Sequence, residues 1–201
     1  MLKISNVYKE YKIGSESYNI LQDVSLEIKQ GELVAVCGHS RSGKSTLLGI
    51  MSGLDAPTKG TVNYDGVNLY QLKEGELAQF RNRNFGIIFQ NYNLIQDLTA
   101  YENVEVPLLL AKKKNRKMRN PSDLLEMVGL KDKIHTKVSL LSGGEQQRVS
   151  IARALIQEAC AIFADEPTGA LDYENSNMII ELLAMLKKEL DVLYWSLTMF
   201  Q

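Results

Sequence analysis

The chain has 201 residues, 45% hydrophobic and 23% charged, with only four prolines, a mix that excludes disordered, collagen-like and low-complexity classes. A folded chain of this length hides roughly 70% of its unfolded surface, so one domain, or one core with an inserted subdomain, needs no disulfide or metal staple. Twenty-three basic against twenty-four acidic side chains leave a net charge of -1, and the global field points to no polyanionic partner.

The start, MLKISNVYKEYKIG, lacks the apolar stretch of a signal peptide, and no run approaches the ~18 to 20 apolar residues that cross a bilayer. Val24, Leu26 and Ile28 share one strand face before a turn at Lys29-Gln30-Gly31-Glu32. Leu33 to Cys37 is apolar throughout, which predicts a strand covered on both faces. Cys37 and Cys160 both lie in apolar runs and read as small hydrophobes in a reducing compartment.

Leu47, Leu48, Met51 and Leu54 recur at helical spacing before the breaker Asp55-Ala56-Pro57. Thr61 to Tyr64 reads as a strand entering an Asp65-Gly66 turn, and Phe85 to Phe89 as another buried strand. From Asn91 to Leu155 the pattern is helical, with Leu124, Leu125 and Val128 on a helix ended by Gly129. Ala159 to Ala164 restores a buried strand. Ile179, Leu182, Leu183, Leu186 and Leu190 mark an amphipathic helix, and Val192 to Thr198 a last strand. Strands alternating with helices predict an α/β fold with a largely parallel sheet.

Three motifs carry chemistry. Gly38-His39-Ser40-Arg41-Ser42-Gly43-Lys44-Ser45 matches G-x-x-x-x-G-K-[ST] between a buried strand and a helix. Backbone N–H groups there can wrap a phosphate at a helix N-terminus, with Lys44 reaching the β- and γ-phosphates and the Ser45 hydroxyl ligating Mg²⁺. Ile162-Phe163-Ala164-Asp165-Glu166 delivers two carboxylates from an apolar strand, which is costly without a compensating cation. Asp165 suits the Mg²⁺ shell, and Glu166 suits polarising a water that attacks the γ-phosphate. Leu141-Ser142-Gly143-Gly144-Glu145-Gln146-Gln147-Arg148 is a helix start. Ser142 caps it, Glu145 favours its first turn, and the glycines leave N–H groups exposed to an anion. By itself this third motif reads more readily as a capped helix with nothing bound.

GHSRSGKST, Gln90 in IIFQN, LSGGEQQR, IFADEP and Thr168-Gly169-Ala170-Leu171-Asp172 occur in the order and approximate spacing of an ABC-transporter nucleotide-binding domain, which the chain resembles over nearly its whole length. QNYNLIQDLTAYENVEVPLLL and DEPTGALD resemble the subfamily that powers macrolide efflux, lipoprotein release and antimicrobial-peptide export. The resemblance implies a P-loop NTPase (RecA-like) core with a mainly parallel sheet, an N-terminal antiparallel β-subdomain and an inserted α-helical subdomain. The divisions fall at residues 1–90, 91–155 and 156–201.

The same resemblance implies a head-to-tail homodimer or paired ABC subunit. ATP would be held between one chain's loop, His39, Ser40, Arg41, Ser42 and Thr46 included, and the other chain's Ser142, Gly143, Gly144 and Glu145. Gln90 would sense the Mg²⁺ and attacking water and link to a separate transmembrane permease. Asp172 would communicate across the dimer, and Tyr11 would stack on adenine. The implied location is cytoplasmic, on the inner face of the cell membrane through the permease, with no nucleic acid expected.

Two departures stand out. The family usually has glycine at Arg41, where a left-handed L-residue costs roughly 1 to 2 kcal/mol; the expectation is an ordinary backbone, with Arg41 adding positive charge. After its last strand the family carries Thr-His, whose histidine contacts the γ-phosphate, where this chain has Thr198-Met199. Methionine offers no imidazole, so the expectation is ATP binding with weak hydrolysis. The family also continues with further strand and helix, which implies a short or degenerate tail here. Lys112, Lys113, Lys114, Arg116, Lys117 and Arg119 form a charge cluster read as a solvated surface.

Overall fold

A computed structural model describes residues 1–111 and 119–189, together with the strand 194–199. The predicted contributions of Lys112 to Lys117, Leu190 and Val192 lie outside the described residues.

Most strands of the N-terminal third form an antiparallel sheet. Strand β1 (Leu2–Ile13) turns at Gly14 into β2 (Glu16–Ile28), and β1 pairs on its other side with β4 (Lys59–Tyr64), which hairpins into β5 (Val67–Asn68). Asp65 and Gly66 both have positive φ, 46° and 84°, the geometry of the tightest hairpin turns. The order is β2-β1-β4-β5. Leu2, Ile4, Val7 and Ile28 are buried beneath this sheet, so alternation along β2 does select its inner face.

The second sheet is parallel. Its strands β3 (Glu32–Cys37), β6 (Phe85–Ile88), β7 (Ala161–Asp165) and β8 (Tyr194–Met199) lie in the order β3-β8-β7-β6. The last strand is therefore central. Residues 161–164 of β7 are buried. Strand β3 departs from expectation because it lies at an edge of the described sheet: Leu33, Ala35 and Cys37 face outward, with Leu33 51% exposed. Cys37 is thus exposed rather than a core hydrophobe, whereas Cys160 is half-buried.

Helix α1 (Lys44–Met51) ends sooner than predicted, leaving Leu54 46% exposed in the following loop. Helix α2 (Glu74–Asn84) buries no residue fully, which is why hydrophobic spacing does not announce it. Its Phe80 joins Tyr64, Phe85 and Phe163 in an edge-to-face aromatic cluster, ring centroids 5.2–5.6 Å apart, that ties the two sheets together.

The helical stretch contains α3 (Ala100–Leu109), α4 (Pro121–Met127) and α5 (Gly143–Leu155). Helix α4 closes at Val128 and Gly129, as read from sequence. Val149, Ala152 and Leu155 of α5 are buried, and their cluster runs on through Ile162 of β7 to Ile179, Leu183 and Leu186 of α6 (Tyr173–Glu189). Helix α5 therefore packs on both the helical stretch and the parallel sheet. His135, in the helical stretch, packs its ring against Tyr101.

Candidate functional site

The turn from β3 into α1 is a concave loop. The Ser42 N–H donates to the His39 carbonyl at 3.2 Å, and Arg41 and Gly43 have φ of 65° and 91°. Arg41 is thus left-handed, contrary to the ordinary backbone expected, and the loop holds an L-residue where roughly 1–2 kcal/mol of strain is the rule. Glycine is required at 43 for a second reason: a Cβ there would lie 3.0–3.1 Å from Ile20 and Leu21. Helix α1 has no side-chain cap and no acidic residue in its first turn, so its terminal N–H groups and positive dipole end suit an anion. Lys44 is buried; its Nζ donates to the Gly38 and His39 carbonyls at 2.9 and 3.0 Å and lies 3.9 Å from Glu166 Oε1.

Across the parallel sheet, the Ser45 hydroxyl donates to Asp165 Oδ1 at 2.9 Å. Glu166 follows at the strand end, 8% exposed and left-handed at φ 45°. Burial pushes its carboxyl above the usual range, Asp165 adds to the rise, and Lys44 opposes it, which suits a group that takes up a proton. The Gln90 amide follows β6, and a Cβ built on Gly169 would lie 2.9 Å from Gln90 Nε2 and 3.4 Å from Glu166 Cβ, so both side chains flank one glycine. Among the described residues no group of three or more His, Cys, Asp or Glu side chains is arranged for a metal. The hydroxyl–carboxylate pair Ser45–Asp165 fits Mg²⁺, a hard cation usually held by one or two protein oxygens with substrate phosphates and water.

Tyr11, 40% exposed on β1, donates its hydroxyl to Asp55 Oδ2 at 2.6 Å. That hydrogen bond, with burial, holds the phenol above its ordinary value, while a hydrogen bond with the Thr46 side chain acts the other way. Tyr11 therefore sits against the first turn of α1.

The other predicted anion site differs. The Ser142 hydroxyl accepts from the Glu145 N–H at 3.3 Å, and Glu145 Oε2 accepts from the Ser142 N–H at 2.7 Å, a reciprocal cap. The Ser142 N–H bond holds the Glu145 carboxyl below its ordinary value. Gly144 is buried rather than open to an anion, because a Cβ there would meet Asn175 Oδ1 at 2.3 Å. Asn175 is in turn fixed by Asp172, which accepts from its N–H and Nδ2, both at 2.8 Å. Asp172 thus reaches the start of α5 through a single side chain.

The sequence profile described as "ABC transporter" matches residues 21–169. The chain belongs to the ABC transporter family. It is 45% identical over 190 residues to the "Uncharacterized ABC transporter ATP-binding protein YvrO" of Bacillus subtilis (strain 168), covering 94% of this chain and 83% of that protein. It is 43% identical to the "Macrolide export ATP-binding/permease protein MacB" of Pectobacterium atrosepticum, over 94% of this chain but 29% of MacB. Among solved structures it resembles the dimeric post-hydrolysis state of the ATP-binding cassette MJ0796 bound to ADP and Pi, with TM-score 0.89, 41% identity, and 99% of this chain and 88% of that one covered. It also resembles cbiO1 of Clostridium perfringens, part of the transporter complex cbiONQ, with TM-score 0.81, 25% identity, and coverage of 100% and 78%.

This ABC chain uses several residues that motif reading misses. Gln147, fully buried, donates Nε2 to the Pro167 carbonyl at 2.6 Å, bracing α5 against the residue after Glu166. Arg153 donates to the Tyr92 and Asn93 carbonyls at 2.7 and 2.6 Å, and burial brings its guanidinium down to about 10. Tyr92 and Asn93 are both left-handed, and a Cβ on Gly143 would lie 2.9 Å from the Tyr92 hydroxyl, so the loop after Gln90 is pinned against the start of α5. Asn175 had a signal, the Asp-x-x-Asn spacing of a helix cap; Gln147, one polar residue in a polar run, and Arg153, a lone cation in the apolar run Ile151 to Ile156, had none.

Proposed function

We propose that this chain is the ATP-hydrolysing subunit of a transporter whose permease is a separate membrane chain, and that two copies close head to tail on two ATP–Mg²⁺ to drive export or release of a peptide, lipoprotein or drug. The observation that carries this is the Ser45–Asp165 hydrogen bond, which unites the phosphate loop with a strand 120 residues away. The family match, the nucleotide-bound dimeric relative and the MacB likeness support it.

In this reading Gly38 to Thr46 cradle the triphosphate and Lys44 leaves its loop carbonyls for the β- and γ-phosphate oxygens. Ser45, Asp165 and Gln90 hold Mg²⁺, which neutralises developing phosphate charge. Glu166 takes a proton from the attacking water, and Tyr11 receives the base. Ser142, Gly143, Gly144 and Glu145 of the second copy close the site, and Asp172 relays between the copies. No described helix is long and apolar enough to cross a membrane. We assign the permease contact to the groove of about 600 Å³ bordered by Phe89, Asn93, Leu110 and Arg153, since it adjoins Gln90 and the loop that Arg153 pins. The chain thus works at the inner membrane face.

Turnover is slow in this reading because Met199 ends β8 in register with Cys37, one residue past the Thr198–Asp165 pair, where the family uses histidine. Steady-state hydrolysis measured beside equilibrium ATP binding and light scattering tests the whole. Glu166→Gln should cut turnover about 100-fold or more while ATP binding persists and dimers accumulate; failure to bind ATP overturns the reading. Met199→His should raise turnover by about 10², and equal rates would remove the slow-turnover reading alone.

A further inference from the structure

Asp55 lies in the loop between α1 and β4, outside every motif so far assigned a role. One carboxylate oxygen accepts from Lys9 Nζ at 2.6 Å and the other from the Tyr11 hydroxyl at 2.6 Å. Lys9 is 9% exposed, also donates to the Ala56 carbonyl at 2.7 Å, and lies over the Tyr11 ring, 4.7 Å from its centroid. The ammonium thereby covers one ring face in a cation–π contact.

The Asp55 main chain is itself held to α1. Its N–H donates to the Gly49 carbonyl at 3.1 Å, and the half-buried Tyr70 hydroxyl donates toward the Ile50 and Asp55 carbonyls. Burial pushes the Asp55 carboxyl up, but the bonds from Lys9 and Tyr11 outweigh it and keep the group below its ordinary value. The phosphate loop runs into one end of α1, and Asp55 is tied to the other. The carboxylate therefore links a ring on the antiparallel sheet to the rigid helix that carries the triphosphate-binding residues.

We propose that Asp55 is a positioning residue that sets the Tyr11 ring at a fixed distance and tilt from the phosphate loop, with Lys9 closing one face so that the opposite face takes the nucleotide base. This rests on Tyr11 being the base platform. Its consequence is selective: the tether strengthens binding of a base-bearing triphosphate and leaves a bare triphosphate unaffected.

Calorimetric titration of the full chain with Mg²⁺ and either ATP or inorganic tripolyphosphate tests it. Asp55→Ala should weaken ATP binding about five- to tenfold and tripolyphosphate binding less than about twofold. Tyr11→Phe, which keeps the ring and the Lys9–Asp55 pair, should show a smaller loss of the same selective kind, and it serves if Asp55→Ala does not fold. Equal weakening of both ligands by Asp55→Ala would overturn the proposal, since Asp55 would then merely support α1. If Tyr11→Ala weakens ATP selectively but Asp55→Ala and Tyr11→Phe do not, the platform stands and the positioning role falls. If Tyr11→Ala leaves ATP affinity unchanged, the platform reading itself falls and takes the proposal with it.

Discussion

Helices α1 and α5 both begin after a glycine-bearing segment, yet their N-termini are built for opposite conditions. At α1 the cap is Gly43, with no side-chain cap hydrogen bond, and the first turn carries the Lys44 ammonium and the Ser45 hydroxyl that donates to Asp165. At α5 the Ser142 hydroxyl and Glu145 carboxylate satisfy each other's backbone N–H, and a negative charge already sits on the dipole. The first end is electrostatically incomplete and the second is self-sufficient. In the proposed reading the strong anion site belongs to the phosphate loop, and the start of α5 contributes by close approach in a dimer.

The largest expected effect follows from that contrast. Lys44→Ala removes the one ammonium of the loop and should weaken ATP–Mg²⁺ binding by about 100-fold, as charge-assisted bonds to phosphate are among the strongest available. Ser142→Ala should change ATP binding to the dilute, monomeric chain by less than about twofold, while weakening ATP-induced dimerisation seen by light scattering. Comparable losses in monomer binding from both variants would break the comparison.

A mid-sized effect tests whether the start of α5 depends on shape. Gly144→Ala places a Cβ against Asn175 Oδ1, and Asn175 cannot readily swing away because Asp172 holds both its N–H and its amide. Overpacking of this kind costs about 1–3 kcal/mol, a fall in Tm of about 3–10 °C for a chain of this size. Adding Asn175→Ala should recover part of it, so that the double variant is more stable than the two single losses predict. A Gly144→Ala protein as stable as the parent would show that Asn175 yields, and that shape there matters little.

What sequence could foresee divides along similar physical lines. Local rules carried the capping of α5 by Ser142 and Glu145, the Asp65–Gly66 hairpin and the close of α4 at Gly129, because each depends on residues within four positions. Sequence assigned Ser45 and Asp165 separately to a Mg²⁺ shell; their direct hydrogen bond across 120 residues is a finding of the fold. Burial at Gly144 and at β3 was misjudged because both depend on what lies beside them: Asn175 against the first, a sheet edge at the second. Arg41 was misjudged because the turn into α1, rather than residue preference, decides its φ. Gln147 and Asp55 stayed invisible, since nothing in a polar residue's neighbours along the chain tells that its amide meets Pro167 or that its carboxylate meets Tyr11.

The smallest expected effect concerns the charge that makes α5 self-sufficient. The Glu145 pKa is lowered in the fold, chiefly by the Ser142 N–H, so its contribution to stability is fully present above the unfolded glutamate value near ~4.3–4.5. It is lost as pH falls through the lower, folded value. The group is half-buried at the surface, and solvent screening limits the effect to a few tenths of a kcal/mol. Glu145→Gln carries no titrating charge at that position. The Tm gap between parent and Glu145→Gln should therefore be about 1–2 °C near pH 6 and should shrink as pH falls below the unfolded glutamate value. A gap that stays constant over that range would mean that the side chain caps α5 through geometry alone, and that the two helix starts differ in shape more than in charge.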